Sequence, residues 1–354
     1  MIKIIAVIVG LTISINGAAA PIVDLYGDES AKGEKILKKY SKQVSEIEVA
    51  FHNASLSTNF SHETKFEKEF LKRNQLIETI KKEGNYLYAN FGTIKYVNKN
   101  HEYEYTTIEV VKKDQPKRLL FTSPMIRKPN YKPKNDLIDQ MIEFGQIELK
   151  LFEAHQMESD PKKIVCPVYH CFLGFSDPQL KPYLRVFNTG AIKEKQLILD
   201  TLSNDLNPER RAAAAFLMGH FKDPNEIVTQ LSSHLDDPDS GVRNNVLRVI
   251  GTTIKKAKMT QIDAKPYLKL LESTQATDRN KALLVLSTIA RSPQVRPIMI
   301  RSGGKNLISL LRLKQPINHD FAYQILKTLS GKDLGETNYA AWENWLSLAK
   351  KKLV

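Results

Sequence analysis

Cysteine is nearly absent from the chain: two residues among 354, Cys166 and Cys171. So few thiols exclude a mini-scaffold held by several bridges, and a zinc module built on four thiolates. Long apolar runs are missing as well. Beyond residue 20 no segment approaches about 18 uninterrupted apolar residues, which argues against a membrane-crossing helix there. The first 160 residues show no Gly-rich phosphate loop, no metal-ligand spacing and no nucleophile–base signature, so no enzyme class declares itself. Acidic residues are outnumbered, 39 against 52 Lys and Arg, for a net charge of +13. The lysines are scattered rather than blocked. That fits either a solvated surface or a protein that meets anionic lipid, acidic polysaccharide or acidic protein.

The chain opens with an export pattern. Met1-Ile2-Lys3 is a short positive start, residues 4–15 are mostly apolar, and Ala18-Ala19-Ala20 before Pro21 puts small residues at the −3 and −1 positions of a cut site. Residues 1–20 are therefore expected to be a cleaved signal peptide. An uncleaved anchor is disfavoured because the apolar run is short for roughly 30 Å of hydrocarbon. No Cys follows the cut, so no lipoprotein attachment is expected. The mature chain would start near Pro21, periplasmic or secreted, with 354 − 20 = 334 residues. That length is enough for two domains, each with its own core.

Residues 21–160 read as a small α+β domain. Residues 29–51 have helical period, with Ile36, Tyr40, Val44, Ile47 and Phe51 on one face. A second helix is expected over 61–82 and a third over 135–157. Between them, 86–91, 94–97 and 101–111 alternate and are rich in Tyr, Thr and Val, which predicts a short antiparallel sheet, with one more strand at 118–122. Three prolines between Pro124 and Pro133 mark a linker. The strand tyrosines serve either as ring-stacking platforms or simply as good strand formers at a half-wet face, and base propensities favour the second. His52, His62, Glu63 and His101 are the acid–base candidates if an enzyme site lies here, although such side chains are more often solvated surface. Asn53-Ala-Ser55 and Asn59-Phe-Ser61 match the glycosylation sequon, which matters only in a host with that machinery.

Cys166-Pro-Val-Tyr-His-Cys171 falls in a junction at 161–175. An even count in an exported chain points to one disulfide, and Pro167 favours a turn that brings the two Cα atoms within roughly 4.4–6.8 Å. Two alternatives stand beside it. A redox pair would normally show C-x-x-C, and a metal site would draw on Cys166, His170, Cys171 and His155.

The remaining 176–354 reads as helices alternating with short turns. Two segments repeat: Arg211-Ala-Ala-Ala-Ala-Phe-Leu-Met-Gly219 and Arg243-Asn-Asn-Val-Leu-Arg-Val-Ile-Gly251, 32 residues apart and preceded by Asn207-Pro208 and Asp237-Pro238. A period of this size indicates stacked helix pairs, stable only against their neighbours. Pro208 and Pro238 would start helices, and Arg211 and Arg243 would reach a capping Asp of a neighbouring repeat. Gly219 and Gly251 would let a helix stop or a neighbour come near. Asp278-Arg279-Asn-Lys-Ala-Leu-Leu-Val-Leu286 is a degraded third copy, with Ser287 in place of Gly. The pattern resembles HEAT repeats, specifically the bacterial HEAT-like type related to phycobilisome-lyase repeats. The tail, Leu329-Ser-Gly-Lys-Asp-Leu-Gly335 with Trp342-Glu-Asn-Trp345, resembles the closing segment of exported proteins of that kind, where paired tryptophans cap the last apolar face.

The fold expectation is thus mostly α: a C-terminal HEAT-like α-solenoid preceded by the α+β domain. The resemblance implies a non-enzymatic scaffold that binds a protein or peptide partner on its repeat surface. It carries over no catalytic residues, and no cofactor or metal is expected. Arg248 and Lys255 are candidate binding residues. An anionic envelope polymer such as peptidoglycan is the alternative ligand, while the export pattern argues against nucleic acid.

Overall fold

The computed structural model describes residues 22–56, 62–98, 101–121, 137–154, 156 and 163–353. The expected leader at 1–20, the prolines between 124 and 133, the Asn59-Phe-Ser61 sequon and His155 lie outside the described residues. In chain order the elements are β1 (Ile22–Tyr26), α1 (Ala31–Leu56), α2 (His62–Gly84), β2 (Tyr86–Asn98), β3 (His101–Lys112) and α3 (Leu137–Glu153). There follow α4 (Lys181–Lys193), α5 (Lys195–Asn204), α6 (Pro208–Leu217), α7 (Pro224–Ser232), α8 (Ser240–Lys256), α9 (Lys265–Leu270) and α10 (Ala276–Ile289). The last are α11 (Val295–Ile298), α12 (Gly304–Leu311), α13 (Pro316–Ser330) and α14 (Tyr339–Lys351). A mostly helical chain with one small sheet is what the periodicities predict. Residues 116–118 form a turn of 3-10 helix at the edge of the stretch expected to be a strand, because Pro116 sits at its first turn and has no N–H for a ladder.

Packing divides the chain discontinuously. One compact unit contains the segment up to Leu120 together with Leu268–Leu283 and the segment from Arg296 to the C-terminus. The other contains Phe121–Tyr267 with Leu284–Val295. A linear cut near residue 160 is therefore not the division that the contacts make. The first unit draws residues from both ends of the chain.

In the first unit the sheet order is β1-β3-β2. β2 and β3 form an antiparallel hairpin, whereas β1 runs parallel to β3, from Ile22 opposite Tyr105 to Tyr26 opposite Glu109. The expected antiparallel sheet is thus mixed. A five-residue strand that pairs 83 residues away carries no alternation signal, and parallel pairing needs a crossover, which α1 and α2 supply. One sheet face carries Val23, Ala89, Phe91, Ile108 and Val110, packed against Ile36, Tyr40 and Val44 of α1 and Leu76, Ile77 and Ile80 of α2. β3 is also covered on its other face. Thr107 and Glu109 of that face are both buried.

That second face explains itself through Arg279 of α10, which is fully enclosed and forms a two-pronged bond to Glu109 at 2.8 and 2.6 Å. Its Nε donates to Asn318 Oδ1, and Nη1 also reaches the Ser273 carbonyl at 2.7 Å. The guanidinium lies on the Tyr26 ring, 4.2 Å from its centre. A buried charge is tolerated only when paired and hydrogen-bonded throughout, and here every prong is used. At the C-terminal end of the same unit, Trp342 is fully buried, donates Nε1–H to the Gly335 carbonyl at 2.8 Å, and meets Tyr323 and Trp345 edge to face. Leu346 closes over Gly304, where an added Cβ would lie 2.3 Å from its Cδ1.

The second unit shows how the repeat is built. Arg211 binds Asp237 with both prongs at 2.8 Å and the carbonyls of Asp205 and Leu206 at 2.8 and 3.2 Å. Arg243 repeats the carbonyl half of that pattern on Asp237 and Pro238, at 2.7 and 3.1 Å. Each arginine therefore clamps the turn that starts its own helix, and Arg211 also holds the Asp of the next repeat. Asp237 closes that turn in addition by accepting the Asp239 N–H. Pro208 occupies the first turn of α6, whose N-cap is Asn207. Pro238 lies ahead of α8, whose N-cap is Asp239, so it shapes the turn rather than opening the helix.

Candidate functional site

Segment 163–180 has no regular secondary structure and is held down on the second unit by polar bonds and one covalent bridge. Cys166 and Cys171 form a disulfide with Cα atoms 5.7 Å apart, closing a small ring. The Tyr169 N–H donates to the Gly219 carbonyl at 2.9 Å, and Thr252 Oγ1 lies 3.3 Å from His170 Nδ1. Lys256 caps the ring from α8 by donating to the carbonyls of Cys166, at 3.0 Å, and Val168. Gly219 makes this approach feasible, because a Cβ there would sit 3.0 Å from His170 Cβ and 3.2 Å from its backbone nitrogen. Gly251, its counterpart in the repeat, lies within α8 and does not end it. A Cβ there would make ordinary contacts with Leu284 and Val285.

Beside the ring lies a cleft of about 520 Å³, lined by residues 166–169, Asn188 and Ile192 of α4, residues 219–222 and Lys256. His220 forms part of its wall. Burial pulls its imidazole down to about 4, so the ring is neutral at ordinary pH, with Nδ1 2.8 Å from Asn188 Oδ1. Its flanks are apolar: Phe187 meets it edge-on at 5.5 Å and Phe175 at 5.8 Å. Val165, next to Cys166, is 79% exposed, and Ile192 on the cleft wall is 56% exposed. Apolar side chains this open beside a concave surface mark a place where another molecule can be covered. The charge around them is positive, from the exposed Lys222 and from Lys193 of α4.

The predicted residues fare unevenly. Arg211 and Arg243, expected to serve the repeat itself, are buried inside it. Arg248 lies half-buried over the Phe172 ring, and Lys255, two turns further along α8, is exposed. His52 sits partly buried in α1, and the side chains of His62, Glu63 and His101 lie outside the described residues. Tyr103 and Tyr105 stand 6.4 Å apart, whereas Tyr26, Tyr40 and Tyr86 are interior. Asn188, Ile192, His220 and Lys256 escape a sequence reading, since no local spacing links helix faces that only the packing brings together.

Among the described residues, His319, Asp320 and Glu336 bring ligand-type atoms within 4.8 Å of one another. Both ring nitrogens of His319 are already engaged, Nδ1 with the Leu311 carbonyl at 2.7 Å and Nε2 with Glu336 at 2.8 Å, so the group reads as a hydrogen-bonded cluster. No helix among the described residues is long and apolar enough to cross a membrane. No curated protein and no solved structure matches the chain. Residues 196–297 match the family model of HEAT repeats, so the register set by Arg211 and Arg243 is that of HEAT-like repeats over this stretch.

Proposed function

We propose that the protein is an exported, non-enzymatic scaffold, periplasmic or secreted, that binds a protein or peptide partner through its HEAT-like surface. HEAT repeats generally mediate protein–protein interaction. The observation that carries the reading is the cleft beside the disulfide ring, lined by exposed Ile192 together with Lys222 and Lys256, with exposed Val165 preceding the ring in the chain. That lining suits an extended segment with an apolar anchor and acidic neighbours. Export rests on the pattern at residues 1–20, and a bridge at Cys166–Cys171 agrees with an oxidising compartment.

The test is affinity capture from the cell envelope with residues 21–354, run beside a Val165→Glu/Ile192→Glu variant of the same chain. A partner retained by the wild type and lost by the variant supports the cleft. Equal retention by both would move the binding surface elsewhere, and no retention by either would remove the scaffold reading. N-terminal sequencing of the mature protein checks the cut before Pro21.

A further inference from the structure

Apart from Arg248, the enclosed guanidinium groups among the described residues are all bonded; Arg118 and Arg312 each leave one enclosed nitrogen unpartnered but bond through another, to the Val110 carbonyl at 2.9 Å and to Glu343 at 2.7 Å. Arg211 and Arg279 are bonded to carboxylates and carbonyls, and Arg73 binds Glu48 at 2.6 Å and the Phe91 carbonyl at 2.7 Å. Arg248 departs from this habit. Its Nε is enclosed without a partner, and among the described residues no protein group bonds any of its nitrogens. The two terminal nitrogens are not among the fully enclosed atoms. The guanidinium lies over Phe172, 4.9 Å from its ring centre. Phe172 follows the disulfide ring directly, and the next residue is anchored by its N–H to Glu148 Oε1 at 3.0 Å. Stacking on a fixed ring sets the plane of the fork, which is what gives arginine its directional binding.

Glu148 would be the natural counter-charge, but it forms no ion pair with Arg248. Its carboxyl is buried, already accepts the Leu173 N–H, and is pushed up to about 8 by burial, so near neutral pH it is mostly the uncharged acid. Glu148 therefore acts on Arg248 only through space and, being mostly protonated, only weakly, and a half-buried, oriented positive fork with no bonded carboxylate is a costly arrangement until an anion meets it. The fork geometry matches two coplanar oxygens, and Lys255 adds a second positive charge two turns along α8.

We propose that Arg248 is a receptor for a carboxylate, supplied by an acidic side chain or a C-terminus of the bound partner. The source of that carboxylate rests on the partner-binding reading above; the receptor itself does not. The test titrates sodium acetate into the full-length protein, ¹⁵N-labelled at arginine, at constant ionic strength, and follows the Arg248 Nε–H resonance. The exposed Arg291 serves as internal control. A saturable shift at Arg248 with none at Arg291 is expected, and equal, unsaturated drift at both would overturn the receptor. Phosphate is titrated in parallel; saturation at lower phosphate than acetate would overturn the carboxylate assignment. Arg248→Lys keeps the charge without the fork and should weaken acetate at least tenfold. Arg248→Met keeps the packing on Phe172 and should abolish the acetate-induced rise in Tm, and an undiminished rise would sink the proposal. No acetate binding by the wild-type protein, with partner capture intact, would remove the receptor and leave the scaffold reading in place.

Discussion

Arg211, Arg243 and Arg279 act alike on their surroundings, since each bonds the carbonyl six residues before it and so closes the turn ahead of its own helix. They differ in what takes the other prong. For Arg211 it is Asp237 of the next repeat, and for Arg279 it is Glu109 on a strand 170 residues away. Removing one member of such a pair strands a buried charge. Arg279→Met should therefore destabilise by about 3–5 kcal/mol, while the Arg279→Met/Glu109→Leu double variant recovers much of that loss. Urea unfolding of the three variants checks it, and strictly additive losses would show that the pair is not coupled. The two repeat glycines should respond with opposite signs. Gly219→Ala forces a methyl group onto His170 and should cost on the order of 1–3 kcal/mol. Gly251→Ala finds room inside a helix and should gain up to about 1 kcal/mol. Thermal melts of both variants separate these outcomes. The arginines and their turns are legible in the sequence because the clamp spans six residues, whereas the identity of the acid facing Arg279 is not.

At the scale of elements, the sequence resolves helices well where caps and period agree. The repeat segment Arg243–Gly251 lies inside α8, Ser240–Lys256, which is capped by Asp239, and α14 opens on an Asn338 cap. The short β1 escapes a sequence reading because five residues beside an expected cut site show no alternation, and its partner strand lies far along the chain. The disulfide is legible in the spacing of two cysteines, but the cleft beside it depends on α4 and α8 coming to its sides. Two buried groups under and beside this segment give it a pH signature. His220 has its folded value pulled from 6.5 to about 4, so the unfolded chain takes up the extra proton first. Stability is then full above pH 6.5 and lost as pH falls toward 4, on the order of 3 kcal/mol. Glu148 is raised from 4.5 to about 8, so the folded state holds the extra proton and stability declines as pH rises from 4.5 to 8. Urea unfolding across pH should show the acid loss disappear in His220→Phe. The advantage of Glu148→Gln over wild type should widen from pH 4.5 and level off above 8. A pH-independent difference for either variant would contradict the assigned burial.

For the whole molecule the main departure from a linear reading is the interleaving of the first unit. Residues of the N-terminal segment belong to one unit with α12, α13 and α14 and bond to its connecting turns: Asp24 accepts the Lys314 N–H at 2.6 Å, and the Tyr26 hydroxyl donates to the Leu271 carbonyl at 2.7 Å. A fragment of residues 172–354 should therefore lack a single cooperative thermal transition by circular dichroism, since it leaves Arg279 without Glu109. A sharp transition equal to that of the full chain would contradict this. Such pairings are invisible to periodicity, which reports faces within a segment and not their distant partners. Glu109 also has a temporal consequence. It leaves the ribosome well before Arg279, so during synthesis the first strands emerge with an acid they cannot yet neutralise. Completion of the unit begun by the earliest residues waits for nearly the last ones, and the nascent chain stays open at its beginning until its end has been delivered.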